Sequence, residues 1–325
     1  MYQKFFGLEK KPFNMTPDPA FLYLSAHHQE AVAGLAYAIT SRKGFVALTG
    51  EAGTGKTTVL TKVLNHLPDR IRSSVIFNPT VTPDEFLELV LADFGMADVP
   101  ANKAQRILRL RRFLLEARAE DKIAALVVDE AHKLSAEVLE EIRLLGNFER
   151  PDEKLLQIVL SGQPELNDLL NREDLRQFKQ RIALRLAIEP LTPAEVEKCL
   201  SYRWSKAGAM APLPFEAAAI ERLAAVSRGI PRLLNAICDN ALTLAFSESV
   251  HVVTVDHVIE AAHDLCLAEP AGARPAYQPT PPRPVVPPPS PRVAAPAFRL
   301  LERRPAPRPQ SSLLSRWTAK LGFTN

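Results

Sequence analysis

Residues 44–60 read GFVALTGEAGTGKTTVL. The apolar run 44–49 breaks into a loop with glycines at 50, 53 and 55, and a helical pattern starts near Lys56. Four more apolar runs follow: SSVIFN (73–78), IAALVVD (123–129), LLQIVLS (155–161) and ALRLAIE (183–189). None alternates strictly, as expected of strands covered on both faces. Helical patterns lie before and between them, at 28–41, 56–67, 83–94, 102–120, 136–147 and 165–170. The alternation predicts an α/β fold with a five-stranded parallel sheet and helices on both faces.

The loop fits G-x-x-x-x-G-K-[ST] in full, from Gly50 through Glu51, Ala52, Gly53, Thr54, Gly55 and Lys56 to Thr57, with Thr58 next. Glycines let the backbone curl with its N–H groups inward, and the following helix offers its positive end to an anion. Lys56 is then the ligand of terminal phosphates and Thr57 of Mg²⁺. These nine residues are the predicted phosphate site of a nucleotide, with ATP and Mg²⁺ as the implied cofactors.

The third run ends in Asp129-Glu130. Asp129 is the expected second Mg²⁺ ligand, and Glu130 the general base that polarises an attacking water. Binding alone needs only the Asp, so the adjacent Glu is the reason to expect hydrolysis. The run Asp129-Glu-Ala-His132 spells the box of one helicase class, but such helicases need a second α/β domain, and here a short helical unit follows. His132 reads as a helix-start residue, with coupling to a partner as the alternative.

After Leu191 the periodicity becomes wholly helical, at 192–208, 215–227, 231–247 and 255–267, with only a short strand at 251–253. Thr192, Pro193 and Glu195 make a capping-box start. The expected division is an α/β domain, 1–191, a helical lid, 192–268, a disordered Pro/Arg-rich linker, 269–310, and a short amphipathic segment, 311–325. The chain of 325 residues carries a net +3, which conceals an asymmetry. Residues 270–325 hold 14 of 28 prolines and nine basic residues against one acid, a net of +8. The rest, 31 basic against 36 acidic, carries −5. The Pro/Arg stretch favours polyproline II and buries no core. Leu313, Leu314, Trp317 and Leu321 share one helical face, suited to a partner protein or an anionic membrane surface. No apolar h-region opens the chain and no run reaches the length of a membrane span, so a cytoplasmic protein is expected. The scattered Cys199, Cys238 and Cys266 are read as buried thiols.

The phosphate loop, the Asp129-Glu130 strand and Gly229-Ile-Pro-Arg232 together resemble an AAA+ ATPase. YQKFFGL, PF-x-x-x-PDP (12–19), FLYLS-x-x-H-x-E (21–30) and SGQPEL (161–166) are similar to the ATPase domain of the general secretion pathway protein A family, over about residues 1–268. The resemblance implies further roles. Ser161 and Gln163 are alternative sensor-1 residues, touching the γ-phosphate or the water. Arg232 matches sensor 2, reaching from the lid to the phosphates. Arg176 and Arg181 lie where such proteins keep an arginine finger for the neighbouring subunit's ATP, and Arg181 is the first choice. Residues 24–28 are expected near the adenine, with His28 among the nucleotide-binding residues, although His27 and His28 read as structural rather than catalytic. The resemblance also implies a homo-oligomer, a ring or an ATP-dependent assembly, with a protein partner in a secretion, pilus or polysaccharide-export system. Family members of the secretion type continue into a transmembrane helix and a peptidoglycan-binding module, where this sequence has its Pro/Arg segment. Peripheral contact with the inner membrane through 311–325 is then one expectation. A DNA-binding adaptor of the transposition-helper or initiator type is the alternative function, less favoured because the −5 body offers little phosphate-neutralising charge.

Overall fold

The computed structural model describes residues 2–267, apart from Pro17, Pro68, Asp69, Asn78 and Pro79. The expected linker 269–310 and amphipathic segment 311–325 lie outside the described residues. The strands, in chain order, are β1 Phe45–Gly50, β2 Ile71–Ile76, β3 Ile123–Val128, β4 Glu149–Arg150, β5 Glu153–Lys154, β6 Leu156–Gly162 and β7 Ile182–Ile188. The helices are α1 Tyr2–Phe5, α2 Ala26–Thr40, α3 Lys56–His66, α4 Pro83–Asp93, α5 Lys103–Ala119, α6 Ala136–Leu145, α7 Glu165–Asn171, α8 Arg176–Lys179, α9 Pro193–Lys206, α10 Ala217–Ser227, α11 Pro231–Ser247 and α12 Val255–Asp264.

Five strands form one sheet in the order β2-β3-β6-β1-β7, with every pairing parallel. This is the sheet expected from the apolar runs. Its inner strands β1, β3 and β6 are buried along their whole length, which explains their unbroken apolar character. Side chains still alternate between faces. Phe45, Ala47, Leu126 and Ile158 pack with α4 to α8, whereas Val46, Leu48, Val127 and Val159 pack with α2 and α3. The edge strand β2 starts two residues earlier than the apolar run, because Ile71 pairs with Ile123. Phe77, counted into that run, is 61% exposed. The antiparallel β4–β5 pair was not legible in the polar stretch 149–154, and cross-strand charges, Lys154 on Glu149, accompany it instead of an apolar face.

Helices α9 to α12 build a separate core around Leu200, Trp204, Leu223, Ile237, Leu242 and Val258. The capping box of Thr192 and Glu195 is present at α9, and a second one, Thr82 with Glu85, starts α4. The short strand expected at 251–253 is a single bridge, Phe215 to Val253.

The N-terminal residues expected in the α/β domain pack mainly on the helical core, although residues 19–21 also meet α3. Tyr2, Phe6, Leu8, Phe13 and Phe21 belong to the helical core. Phe5 stacks on His251 at 4.0 Å and Tyr2 donates to Asp239. Arg203 of α9 grips the strap, donating to the carbonyls of Pro12 (2.8 Å) and Phe21 (2.7 Å). The aromatic residues of the N-terminal motif have no apolar face of their own to fold on, so they complete the small helical domain. Cys266 also departs from expectation, being exposed, while Cys199 and Cys238 are buried.

Candidate active site

All five sheet strands are parallel, so their carboxyl ends, Gly50, Val128 and Gly162 among them, meet at one edge of the sheet. There the loop Gly50–Gly55 turns into α3. Gly53 and Gly55 have φ of +84° and +101°, left-handed conformations that a β-carbon would strain. The loop is also crowded. A Cβ on Gly50 would stand 2.5 Å from the Ile188 carbonyl oxygen, and one on Gly53 would stand 2.7 Å from Cβ of Arg232. Glycine here is required by close approach as well as by φ.

His28 braces this loop from α2. Its Nε2 lies 2.8 Å from the Thr54 carbonyl and its Nδ1 lies 2.6 Å from Ser25 Oγ. A carbonyl only accepts, so Nε2 carries the proton and Nδ1 accepts from Ser25. Burial pulls the His28 pKa below the ordinary value, which keeps the ring in this neutral form. His28 therefore holds the shape of the loop, as a structural histidine would.

Lys56 is 5% exposed and donates to the carbonyls of Gly50 (2.7 Å) and Glu51 (2.9 Å). Burial lowers its pKa, while Asp129 and Glu130 oppose the shift. Behind it two hydroxyls converge on one carboxylate. The Thr57 hydroxyl donates to Asp129 Oδ2 at 2.5 Å, and the Ser161 hydroxyl donates to Asp129 Oδ1 at 2.8 Å. Asp129 is 3% exposed, and the Glu130 N–H also donates to its Oδ1 at 3.0 Å. Glu130 occupies the left-handed region, φ +53°, a turn that carries its carboxylate away from β3 into the cleft.

The cleft has a volume of about 500 Å³. Residues 52–58, Glu130, Gln163 and Arg232 line it, together with Asn14, Thr16, Asp18, Leu22, Tyr23, Arg203 and Asn235. The lid closes one side. Gly229, at φ +71°, lies against the Leu191 carbonyl, and α11 then starts at Pro231 with the Arg232 N–H donating to the Gly53 carbonyl (3.2 Å).

The candidate residues thus divide. Gly53, Thr54, Gly55, Lys56, Thr57, Thr58, Ala52, His28, Glu130, Gln163 and Arg232 converge on the cleft, with Asp129 and Ser161 directly behind it. Gly50 and Glu51 serve it through their carbonyls. Arg176 and Arg181 do not join them. Phe45 pairs with Ile182 and Gly50 with Ile188, so Arg181, one residue before Ile182, lies at the other end of the sheet. That is roughly 20 Å from the loop at about 3.3 Å per strand residue. Arg181 donates to the Arg143 carbonyl (3.0 Å) and to Asn147 Oδ1 (2.6 Å), whereas Arg176 is exposed. Of the segment expected near the adenine, Leu24 and Ser25 are buried away from the cleft and only His28 lines it. Another part of the wall is instead made by Asn14, Met15, Thr16, Asp18, Leu22 and Tyr23 of the N-terminal strap, and by Arg203. The PF-x-x-x-PDP motif carried the signal for that wall, but nothing in the sequence says that the lid holds it against the loop.

Residues 39–170 match the AAA domain family. The chain is 41% identical over 266 residues to general secretion pathway protein A of Aeromonas hydrophila, covering 82% of this chain and 48% of that protein. It is 29% identical over 171 residues to the ATP-dependent target DNA activator B of Escherichia phage Mu, covering 50% of this chain and 49% of that protein. The chain therefore spans about half the length of the curated relatives it matches. Among solved structures, the Aeropyrum pernix ORC2 protein in its ADPNP–ADP complexes superposes with TM-score 0.60 at 16% identity, covering 79% of this chain and 72% of that one. Drosophila ORC bound to DNA superposes with TM-score 0.62 at 20% identity, covering 82% and 66%. At these identities the solved structures speak for the fold alone. The phosphate loop, the acidic pair after β3, the helical lid and the sequence relationship agree: the chain belongs to the AAA+ ATPases of the general secretion pathway protein A family, of which it carries the ATPase-domain portion.

Proposed function

We propose that the protein binds ATP with Mg²⁺ in this cleft and hydrolyses it, as a cytoplasmic switch or motor serving a secretion, pilus or polysaccharide-export assembly. The observation that carries hydrolysis is Glu130, turned by its left-handed backbone into the cleft beside Asp129, whose carboxylate accepts from both Thr57 and Ser161.

The residues suit the ligands. The loop is a cradle that a β-carbon at Gly50 or Gly53 would fill, and Lys56 is a buried ammonium that donates to two loop carbonyls. Thr57 and Asp129 offer the hard oxygen donors that Mg²⁺ takes. Bound Mg²⁺ supplies neutralisation of charge on the phosphates. The chain's own groups do the rest. Loop N–H groups orient the phosphates, and Lys56 and Arg232 bring positive charge to the transferring group. Glu130 accepts the proton of the attacking water. Ser161, spent on Asp129, leaves Gln163 as the better-placed sensor 1.

A homo-oligomer in which Arg176 or Arg181 of one subunit completes the next one's site follows from the family relationship. Among the described residues no helix is long and apolar enough to cross a membrane. The secretion assignment rests on the 41% identity to general secretion pathway protein A.

Glu130→Gln tests the activity. Binding of a fluorescent ATP analogue with Mg²⁺ should stay within about threefold, while phosphate release falls by roughly 10²- to 10⁴-fold. Undiminished release removes Glu130 as the base. A second reading, an ATP-dependent DNA adaptor, draws on the identity to target DNA activator B. ATP-dependent, salt-sensitive duplex binding that is lost on deleting 270–325 would favour it.

A further inference from the structure

His132 lies just after Glu130, in a single helical turn, 131–133, that rests on the end of β6. The contact is close. A Cβ on Gly162 would meet the His132 backbone nitrogen at 3.1 Å. This approach brings the imidazole, 12% exposed, against both candidate reacting groups. The backbone N–H of Gln163 donates to His132 Nδ1 at 3.3 Å. In the neutral ring that leaves the proton on Nε2. Two groups face it. The Gln163 amide nitrogen as placed is 3.2 Å away, where two donors would meet, so the amide is assigned with its oxygen towards Nε2; the Glu130 carboxylate Oε2 is 3.7 Å away. Lys133 Nζ, half exposed, also lies 3.4 Å from this carboxylate.

The Gln163 amide can accept from Nε2–H only through its oxygen, and its NH₂ is then free to face the cleft that Gln163 lines. A γ-phosphate oxygen in that cleft is an acceptor for this NH₂. Drawing the amide towards the phosphate takes its oxygen off His132 and frees the Nε2 proton. Glu130 Oε2 then needs to move by roughly 0.5–1 Å to accept it at hydrogen-bond length. The hydrogen bond fixes the carboxylate's rotamer and leaves its second oxygen for the water.

We propose that His132 is a positioning residue that shares one proton between Gln163 and Glu130, so that the general base is set only when Gln163 has engaged the terminal phosphate. The inference rests on the ATPase reading above. It separates two jobs of one ring. The Nδ1 acceptor holds the backbone of Gln163, which is structural, and the Nε2 donor orients the base, which is catalytic in effect.

Three substitutions distinguish them in steady-state ATP turnover. His132→Ala should lower kcat by roughly 10- to 100-fold, the loss typical of a reacting group misplaced by about 1 Å, with KM and ATP-analogue affinity within about twofold. His132→Gln carries an amide where Nε2 lies and should recover most of kcat. His132→Asn carries its amide where Nδ1 lies and should not. Full kcat in His132→Ala, or recovery by Asn rather than Gln, overturns the proposal. Wild-type protein that binds the analogue but releases no phosphate in any oligomeric state overturns the ATPase reading instead. Should His132→Ala fail to fold, the Gln and Asn pair decides alone.

Discussion

Ser161 and Gln163 were equivalent candidates in the sequence, and the structure gives them different neighbours. Replacing Ser161 with Ala deletes one donor from a carboxylate that is 3% exposed. The lost bond is 2.8 Å long and charge-assisted. Such bonds contribute about 1.5–3 kcal/mol. Two donors remain on Asp129, the Glu130 N–H at 3.0 Å and the Thr57 hydroxyl at 2.5 Å, so the carboxylate is not orphaned. The cost belongs at the lower end, about 1.5–2 kcal/mol. At about 2–4 °C per kcal/mol for a domain of this size, Tm should fall by about 3–8 °C without nucleotide. Turnover at saturating MgATP, measured well below that Tm, should stay within about fivefold. Gln163→Ala should do the reverse, leaving Tm within about 2 °C and lowering kcat by at least tenfold. The assays are a thermal melt and phosphate release on the same samples. An unshifted melt with abolished turnover in Ser161→Ala would refute the reasoning, because it would place the hydroxyl on phosphate or water rather than on Asp129.

The two arginines outside the cleft should also separate. Arg181→Ala loses bonds to the Arg143 carbonyl and Asn147 and should cost about 1–2 kcal/mol of stability, whereas exposed Arg176→Ala should cost under about 0.5 kcal/mol. The finger is the one whose loss abolishes concentration-dependent turnover while nucleotide binding survives; turnover per subunit that is independent of protein concentration would remove both. Gly229→Ala places a Cβ 1.9 Å from the Leu191 carbonyl oxygen at φ +71°, and that carbonyl cannot yield without moving the entry to α9. A loss of about 2–4 kcal/mol is expected from left-handed strain and the weakened Leu191–Gly229 backbone bond, read as denaturant midpoint; Gly7→Ala, at φ +69° with nothing within 4 Å, should cost only about 1–2 kcal/mol, and equal midpoints for the two would show that the clash is relieved.

The sequence by itself determined the glycine loop, the acidic pair and the order of the five sheet strands with the longer helices between and after them. Those features are local. Glycine spacing, strand apolarity and a capping box act within a few residues of themselves, and the Thr192 box and the buried β1, β3 and β6 appear where their residues predict. Tertiary structure decided what required contacts between distant residues. The aromatic N-terminal strap had no visible destination until the small helical domain took it, and with it came the part of the cleft wall made by Asn14, Met15, Thr16, Asp18, Leu22 and Tyr23. Ser161 became a partner of Asp129, and His132 a neighbour of Gln163, because adjacent parallel strands bring their ends together. Arg181 was removed from its own site by the length of β7, a consequence of register that no motif records. A motif specifies which groups are available; only the packing of strand ends, lid and strap sets which of them meet in the cleft and which lie away from it.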